Sequence, residues 1–347
     1  MKIPTHSLDN EKSQEKPSWQ AQMANLVTDI DELCQLLNLQ VGELSSVYAL
    51  PEKFPLRVPH AFIKKMQKGD LNDPLLKQIL PTTGEKLTDP KFTLDPLAEN
   101  SHNPTRGLLH KYRSRVLVTL TGACAVHCRY CFRQHFDYGA NLPTRTEQAT
   151  IKDYILSHPE VDEVLLSGGD PLNVSNRRLF EWLTLLADTQ IKTVRLHTRL
   201  PVVLPDRVDD ELLVFLKDYP KNVVMVIHTN HPNELDAATK DACIRLKHAN
   251  VTLLNQAVLL KGVNDDADTL VALSHALFGA GVLPYYLHIL DKVAGAVHFD
   301  VLEEVAIRLY WQLLERLPGY LVPKLVQELP NQPYKTPINV YKCMNFK

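Results

Sequence analysis

From residue 110 onward, short apolar runs rich in β-branched residues alternate with amphipathic stretches at helical spacing. This alternation is typical of repeated βα units, whose strands lie parallel in one sheet. Six units build either a doubly wound open sheet or an incomplete barrel, and in both architectures ligands gather at the carboxyl ends of the strands. The predicted strands are 116–120, 163–167, 193–197, 223–228, 252–256 and 284–290, and the predicted helices are 146–157, 175–188, 209–218, 233–248, 266–278 and 302–317.

The sequence before these units has a different character. Residues 1–17 are polar and interrupted by prolines, which predicts a flexible tail. Apolar residues then recur at helical spacing from Trp19 to Leu37 behind Ser18 as a helix cap, and a short helix is predicted at 61–68. The chain is therefore divided into the tail, a mainly helical accessory region, a (βα)6 core and a C-terminal helix with the segment after it, with bounds 1–17, 18–105, 106–300 and 301–347.

Charge and composition exclude several classes of protein. The 38 Lys and Arg against 40 Asp and Glu, with 45% hydrophobic residues, describe a globular chain without the basic excess of a nucleic-acid binder. No apolar stretch follows Lys2, so a secretory signal is not expected and the predicted compartment is the cytoplasm. Residues 269–290 lack Asp, Glu, Lys and Arg, but Gly279, Gly281 and Pro284 interrupt them, which favours a buried helix and strand over a membrane span.

Three cysteines follow the first predicted strand. Cys124, Cys128 and Cys131 form a C-x3-C-x2-C pattern, which in a chain of this size indicates metal or redox chemistry rather than a disulfide framework. Closely spaced loop thiolates hold iron–sulfur clusters, and three ligands leave one iron of a cubane open to a small chelating molecule. A zinc site completed by His127 or His135 is the alternative.

The cysteine segment resembles the defining motif of the radical S-adenosylmethionine (SAM) superfamily, C-x3-C-x-aromatic-C, with Tyr130 at the aromatic position. The resemblance implies an α/β fold, a partial (βα)6 barrel, that holds a 4Fe-4S cluster on the three cysteines. It also implies that SAM binds the open iron and is cleaved to methionine and a 5′-deoxyadenosyl radical. Ser167, Gly168, Gly169 and Asp170 resemble the glycine motif of the superfamily, where missing side chains let the backbone approach the methionine moiety.

Residues from about 105 to 337 more narrowly resemble the lysine 2,3-aminomutases. The similarity is greatest to the short bacterial branch that makes (R)-β-lysine for the modification of elongation factor P. This resemblance implies pyridoxal phosphate (PLP) as a further cofactor, held as a Schiff base on Lys335 in the C-terminal segment. The phrases that carry it are LLHKYRSR, CAVHCRYCFR, LLSGGDPL, RLPVVLP, HTNHPNE, NQAVLLKGVND, PYYLHILD and the terminal KTP.

The same resemblance assigns further cofactor positions. It places Lys111, Tyr112 and Arg115 at the PLP phosphate, and cations with a phenol suit a phosphate dianion. It places His228 and Gln256 at SAM. A tyrosine of the clostridial enzymes lies beside the PLP ring, and the corresponding residue here is His288.

Three residues match the positions that bind the amino-acid substrate in the family. Arg133 corresponds to the residue that pairs with the α-carboxylate, and a guanidinium can hold a carboxylate through two parallel hydrogen bonds. Asp291 and Glu328 correspond to the two acids that receive the ε-ammonium of lysine, although the second is often Asp in the family. A glutamate substrate would instead need basic or amide groups there, so the two acids favour lysine.

The resemblance thus implies an isomerase that converts L-α-lysine to (R)-β-lysine and receives electrons from a flavodoxin-like or other donor. A separate ligase would attach the β-lysine to elongation factor P. The alternatives are a 2,3-aminomutase for glutamate or another amino acid and, from a different class, a radical SAM enzyme that modifies RNA. No basic patch or appended RNA-binding domain supports the latter, so neither a nucleic-acid nor a membrane partner is expected. Structural zinc is not expected either, and the oligomeric state is left open.

Overall fold

The computed structural model describes residues 17–44, 54–330 and 332–343, so the predicted tail lies almost entirely outside the described residues. The described chain forms one sheet of nine strands. The strands are β1 (Leu108–Tyr112), β2 (Arg115–Thr121), β3 (Glu163–Gly168), β4 (Thr193–Thr198), β5 (Asn222–His228), β6 (Val251–Leu259), β7 (Leu283–Ile289), β8 (Lys324–Gln327) and β9 (Thr336–Pro337). The helices are α1 (Trp19–Ala24), α2 (Ile30–Leu37), α3 (Val41–Leu44), α4 (His60–Ile63), α5 (Pro74–Lys77), α6 (Tyr138–Asn141), α7 (Arg145–Ser157), α8 (Asn176–Ala187), α9 (Leu200–Val203), α10 (Asp210–Lys217), α11 (Ala237–His248), α12 (Ala267–Gly279) and α13 (Glu303–Arg316).

The strands lie side by side in chain order, which distinguishes the two architectures that the sequence left open. Strands β2 to β8 are parallel to one another, and β1 and β9 pair antiparallel with β2 and β8 at the two edges. A doubly wound sheet reverses its strand order at a switch point, whereas a barrel wall does not. The fold is therefore the predicted partial barrel. All six predicted strands are present, with the largest boundary difference at β6, which ends at Leu259 rather than Gln256.

The accessory region shares the apolar core of the barrel. Phe62 and Ile79 belong to the same buried cluster as the strand residues Val118 and Leu196. Lys65 fixes this region to the outside of the wall, because its buried ammonium donates to the carbonyl oxygens of residues 202 and 234 at 2.7 and 2.9 Å. The same ammonium lies 3.0 Å from a carboxylate oxygen of residue 236. Apolar packing and a buried cation thus dock the accessory region on the barrel.

Long-range contacts change two of the predicted helices in the accessory region. The apolar pattern from Trp19 to Leu37 forms the two helices α1 and α2, because the backbone of Val27 between them pairs with that of Val58 at 2.9 and 3.0 Å. The helix predicted at 61–68 spans only α4, after which the chain turns so that the amide of Gly69 reaches the carbonyl of Leu37.

The helix predicted at 233–248 begins later than expected. Residues 232–234 form a separate turn, and α11 starts behind Asp236 as its cap. Glu234 explains the interruption, because its side chain points inward and accepts the amides of Asn230 and His231 at 3.0 and 3.1 Å.

The uncharged stretch 269–290 contains most of α12 and the whole of β7. The prediction of a buried helix followed by a strand is confirmed. In the part of the chain that the structure describes, no helix has both the length and the apolar character needed to cross a bilayer.

Candidate active site

The loop after β2 carries the three cysteines, and the two glycines at the end of β3 pack directly against its start. The Gly169 amide donates to the Thr121 carbonyl at 2.6 Å. A Cβ atom on Gly169 would lie 2.5 Å from the Ala123 oxygen, and one on Gly168 would lie 2.6 Å from the Thr121 oxygen. Gly168 also has φ +110, a conformation that side chains disfavour. Both positions therefore require glycine if the cysteine loop is to keep its place.

Asp170 connects this glycine turn to the loop after β4. Its carboxylate accepts the Thr198 hydroxyl at 2.6 Å and the amides of Arg199, Leu200 and Leu172 at 2.7, 3.1 and 3.0 Å. Protein donors thus occupy both carboxylate oxygens. We expect Asp170 to affect the predicted SAM site through the backbone that it holds.

The three thiol-bearing residues are half-buried, and their surroundings bear on the zinc alternative. Burial and the neighbouring Cys128 raise the pKa of Cys131 to about 12. A ring nitrogen of His127 lies 2.8 Å from the carbonyl oxygen of Pro55, and one of His135 lies 3.0 Å from that of Ala294. One nitrogen of each imidazole is thus taken by a backbone carbonyl, and among the described residues no three His, Cys, Asp or Glu side chains are grouped around a single metal position.

Glu328, directly after β8, brings the predicted PLP residues together. Its Oε2 lies 2.7 Å from Lys335 Nζ, and its Oε1 accepts the Tyr112 hydroxyl at 2.7 Å and Lys111 Nζ at 3.2 Å. The guanidinium of Arg115 lies over the Tyr112 ring, 4.0 Å from its centroid. The residues predicted to hold PLP thus come from two strands and the segment before β9, and three of them, Lys111, Tyr112 and Lys335, meet at one carboxylate.

Asp291, at the end of β7, faces the same group of charges. Burial and the negative charge of Glu328 raise the pKa of Asp291 to about 7, against the opposing effect of Lys335. The Glu328 pKa is instead held far below its usual range, because Lys335 and Lys111 outweigh the cost of burial. One of the two acids is therefore ionised and paired, and the other changes charge near neutral pH.

Buried polar atoms without a partner line the barrel beside Lys335. They include Nε2 of His197, His228 and His288 and Oε1 of Gln256. Burial, aided by nearby cations, lowers the pKa of His228 to about 4 and those of the other two imidazoles well below 6.5. Because buried polar groups are normally hydrogen-bonded, these neutral groups are suited to a polar ligand in the barrel.

Arg133 lies two residues past the third cysteine, and all three of its guanidinium nitrogens have protein acceptors. Its Nε and Nη2 form a two-point pair with Glu99 at 2.8 and 2.6 Å, and its Nη1 contacts the Ser167 hydroxyl and the Gly168 carbonyl at 3.2 and 3.3 Å. A carboxylate is thus already bound where the substrate carboxylate is predicted. Thr93, from the same part of the accessory region, pairs with the backbone after β7, so this region covers the mouth.

The sequence interpretation missed Glu99, which has no motif around it. It also assigned no role to Arg199, whose Nη1 the structure places 2.7 Å from Cys128 Sγ. Both contacts join residues far apart in sequence, and only the acidic character of Glu99 could have suggested a partner for Arg133.

Comparison with known proteins identifies the class and then the family. The radical SAM superfamily pattern matches residues 118–273, which include the cysteine loop and the glycine turn. The chain is 46% identical to the L-lysine 2,3-aminomutase of Escherichia coli K12, over 94% of this chain and 95% of that protein. It is 44% identical to the Haemophilus influenzae enzyme of the same name, over 93% and 96%. Identity to the Clostridium subterminale enzyme of that name is 35%, over 92% and 77%.

The fold, the cysteine loop and this match define a radical SAM enzyme. The chain belongs to the lysine 2,3-aminomutase family, a family of radical SAM isomerases, which confirms the resemblance noted from the sequence. Membership implies SAM and a 4Fe-4S cluster. The residues fit both groups, because three thiols share one loop, the glycine turn lets that loop lie directly against the end of β3, and buried polar atoms without a partner remain in the barrel.

Proposed function

We propose that the protein is an L-lysine 2,3-aminomutase that moves the α-amino group of L-α-lysine to Cβ and releases (R)-β-lysine. The observation that carries this proposal is the meeting of Lys335, Lys111 and Tyr112 at Glu328, with Asp291 beside them. A lysine, a second cation and a phenol suit the aldehyde and phosphate of PLP, and two acids suit a side-chain ammonium.

Lys335 would hold PLP, and Lys111, Tyr112 and Arg115 would bind its phosphate. Lys335 lies 18% exposed, paired with Glu328 and 5.8 Å from the Tyr286 ring centroid. These contacts hold the amine within the barrel instead of leaving it in solvent. When bound, PLP would supply a π-system conjugated to the migrating nitrogen, and SAM on the cluster would supply a radical able to remove hydrogen from Cβ.

The selectivity for lysine follows from the carboxylate charges that would remain in the site once Lys335 is bound to PLP. Binding to the PLP aldehyde would draw the Lys335 nitrogen away from Glu328, and the phosphate would attract Lys111, so Glu328 would lose the two cations that now neutralise it. Glu328 and Asp291 would then need another cation, and the ε-ammonium of lysine provides one. A glutamate side chain would place a third carboxylate beside them, at a cost that disfavours it.

Arg133 would bind the substrate carboxylate at the other end. Its present partner Glu99 contacts the same guanidinium edge, so lysine would exchange one carboxylate for another without leaving Arg133 unpaired. The charge-assisted, two-point contact would fix the Cα–Cβ bond in the barrel, below the cysteine loop. His197, His228 and His288 would remain neutral and offer hydrogen bonds without repelling the substrate cation.

The wider role that we propose is the supply of β-lysine for elongation factor P, in the cytoplasm, with a flavodoxin-like or other donor as the source of electrons. This role rests on the resemblance to the short bacterial branch noted from the sequence, and the match covers 95% and 96% of the Escherichia coli and Haemophilus influenzae relatives. No nucleic-acid or membrane partner is part of the proposal.

The test is an anaerobic assay of the reconstituted protein with SAM, PLP, a reductant and L-lysine, followed by chiral mass spectrometry, with L-glutamate in parallel. We expect (R)-β-lysine and no β-glutamate. Lys335→Ala should abolish isomerisation and the absorbance of bound PLP while leaving iron content intact, and Cys128→Ala should remove the cluster. SAM cleavage without isomerisation of either amino acid would refute the aminomutase and retain the cluster.

A further inference from the structure

A buried network lies behind the cysteine loop, outside the residues assigned to substrate or PLP. Arg199, 5% exposed, donates from Nη1 to Cys128 Sγ at 2.7 Å. Its Nη2 contacts Gln78 Oε1 at 2.7 Å and Glu234 Oε2 at 3.0 Å. The guanidinium therefore joins a predicted cluster ligand to the accessory region and to the turn before α11.

The surroundings leave Arg199 little freedom to turn away from the sulfur. Asp170 binds the Arg199 amide at 2.7 Å, which fixes the backbone. The rings of Phe62 and Tyr130 lie 5.3 and 5.8 Å from the guanidinium carbon. Glu234 is fully buried and holds the second edge of the guanidinium. The N–H that points at Cys128 is thus held by contacts on several sides.

The charges in this network determine what the contact does. Glu234 balances the guanidinium overall, but the ion pair is oriented, with the cationic group adjacent to the sulfur and the carboxylate behind it. When a 4Fe-4S cluster takes up one electron, no bond is broken and its charge becomes more negative by one. Hydrogen bonds to cluster sulfurs and nearby positive charge stabilise that reduced form and raise its reduction potential.

We propose that Arg199 is a positioning residue for the cluster: it holds Cys128 through an N–H···S hydrogen bond and raises the potential at which the cluster accepts its electron. This inference rests on the cluster part of the proposed function and not on the identity of the amino acid. Asp170 then has a defined role, since it holds the peptide from which the Arg199 side chain extends.

The test is a potentiometric titration of the reconstituted holoprotein with dithionite, without SAM or lysine, in which electron paramagnetic resonance measures the reduced cluster. The variant is Arg199→Gln combined with Glu234→Gln, which removes both charges and leaves no unpaired buried carboxylate. We expect the ratio of reduced to oxidised cluster at a fixed potential to fall at least tenfold, a shift of about 59 mV for a one-electron couple.

The matched control is Arg129→Gln combined with Glu85→Gln. Arg129 is another buried arginine of the cysteine loop, but its guanidinium contacts Glu85 and the Phe54 carbonyl rather than a thiol. We expect a much smaller shift from this pair. Equal shifts in both pairs, or none in the first pair with normal iron content, would overturn the proposal.

If the double variant cannot be loaded with iron, Arg199→Lys tests the same hydrogen bond. One ammonium cannot reproduce the fork that contacts Cys128 and Glu234 together. Its cluster should therefore accept the electron at a lower potential than that of the unmodified protein, and an unchanged potential would overturn the role of the hydrogen bond. If the reduction potential of the cluster shifts as expected but the protein does not turn over lysine, only the substrate assignment is refuted.

Discussion

Lysine binding is expected to strengthen as pH rises through 7, because an ε-ammonium needs the ionised form of Asp291. Burial, with Glu328, raises the pKa of Asp291 from 3.8 to about 7, while Lys335 acts in the opposite direction; the weaker effects of Glu99 and Lys111 oppose each other. At that pKa, about 9% of these carboxyl groups are ionised at pH 6 and about 91% at pH 8. The KM for L-lysine should therefore fall about tenfold over this range.

The three imidazoles near the substrate do not titrate in this window. The pKa of His228 is about 4, and those of His197 and His288 are well below 6.5, so all three imidazoles stay neutral. The ε-ammonium of lysine stays charged, with an ordinary pKa of about 10.4. The change in KM between pH 6 and 8 should thus report the charge of Asp291.

The assay is the initial rate of β-lysine formation at saturating SAM as a function of lysine concentration and pH. Asp291→Asn should remove the pH dependence of KM and raise KM at pH 8 by about 30-fold, the equivalent of about 2 kcal/mol for one lost charge contact. Asp188→Asn is the control, since Asp188 lies exposed at the end of α8. Identical pH dependence in the unmodified protein and Asp291→Asn would refute the reasoning.

Three further substitutions test other contacts. Gly169→Ala puts a Cβ 2.5 Å from the Ala123 oxygen, so the cysteine loop must shift and reconstituted protein should contain less iron. Glu99→Gln weakens a competitor for Arg133, so the KM for L-lysine should fall about fivefold, or about 1 kcal/mol. Lys65→Met leaves buried carbonyls without a donor, so the free energy of unfolding in urea should fall by about 3 kcal/mol.

Two of these substitutions have a matched control variant in the same chain, and the third has an outcome that would contradict it. Gly279→Ala should leave iron content unchanged, because a Cβ there meets nothing within 4 Å. Lys64→Met removes an exposed lysine next to Lys65 and should change stability little. A rise in KM for Glu99→Gln would show that Glu99 orients Arg133 instead of competing for it.

The six strands β2 to β7 could be predicted because each forms an apolar run. The four-residue parallel strand β8 and the two edge strands could not. Strand β1 contains a histidine, a lysine and a tyrosine in five residues, and β9 has two residues that pair with Val326 and Gln327. Likewise, the apolar periodicity from Trp19 to Leu37 gives no sign of the backbone contact with Val58 that divides the predicted helix in two. Residues distant in sequence determine where these elements begin and end, so the local sequence cannot predict their bounds.

The candidate site shows the same division. The cysteines and glycines could be predicted because their chemistry depends on spacing within a few residues. Lys335 could be assigned only by resemblance, since its meeting with Glu328 and Lys111 depends on how the two ends of the sheet approach each other. The contact of Arg199 with Cys128 joins residues 71 positions apart, and no local pattern indicates it.

The contacts between the two edges of the sheet bear on how readily these edges separate. β1 and β9 are its terminal strands, and Lys111 and Tyr112 on β1 reach across to Glu328 beside β9. Side chains thus bridge the gap between the two edge strands, which we call the seam. A phosphate group bound by Lys111 and Tyr112 would replace this direct contact across the seam by a contact made through the ligand. Loading and seam width are then thermodynamically linked, so the amides of both edge strands should exchange with solvent more slowly in the PLP-loaded protein.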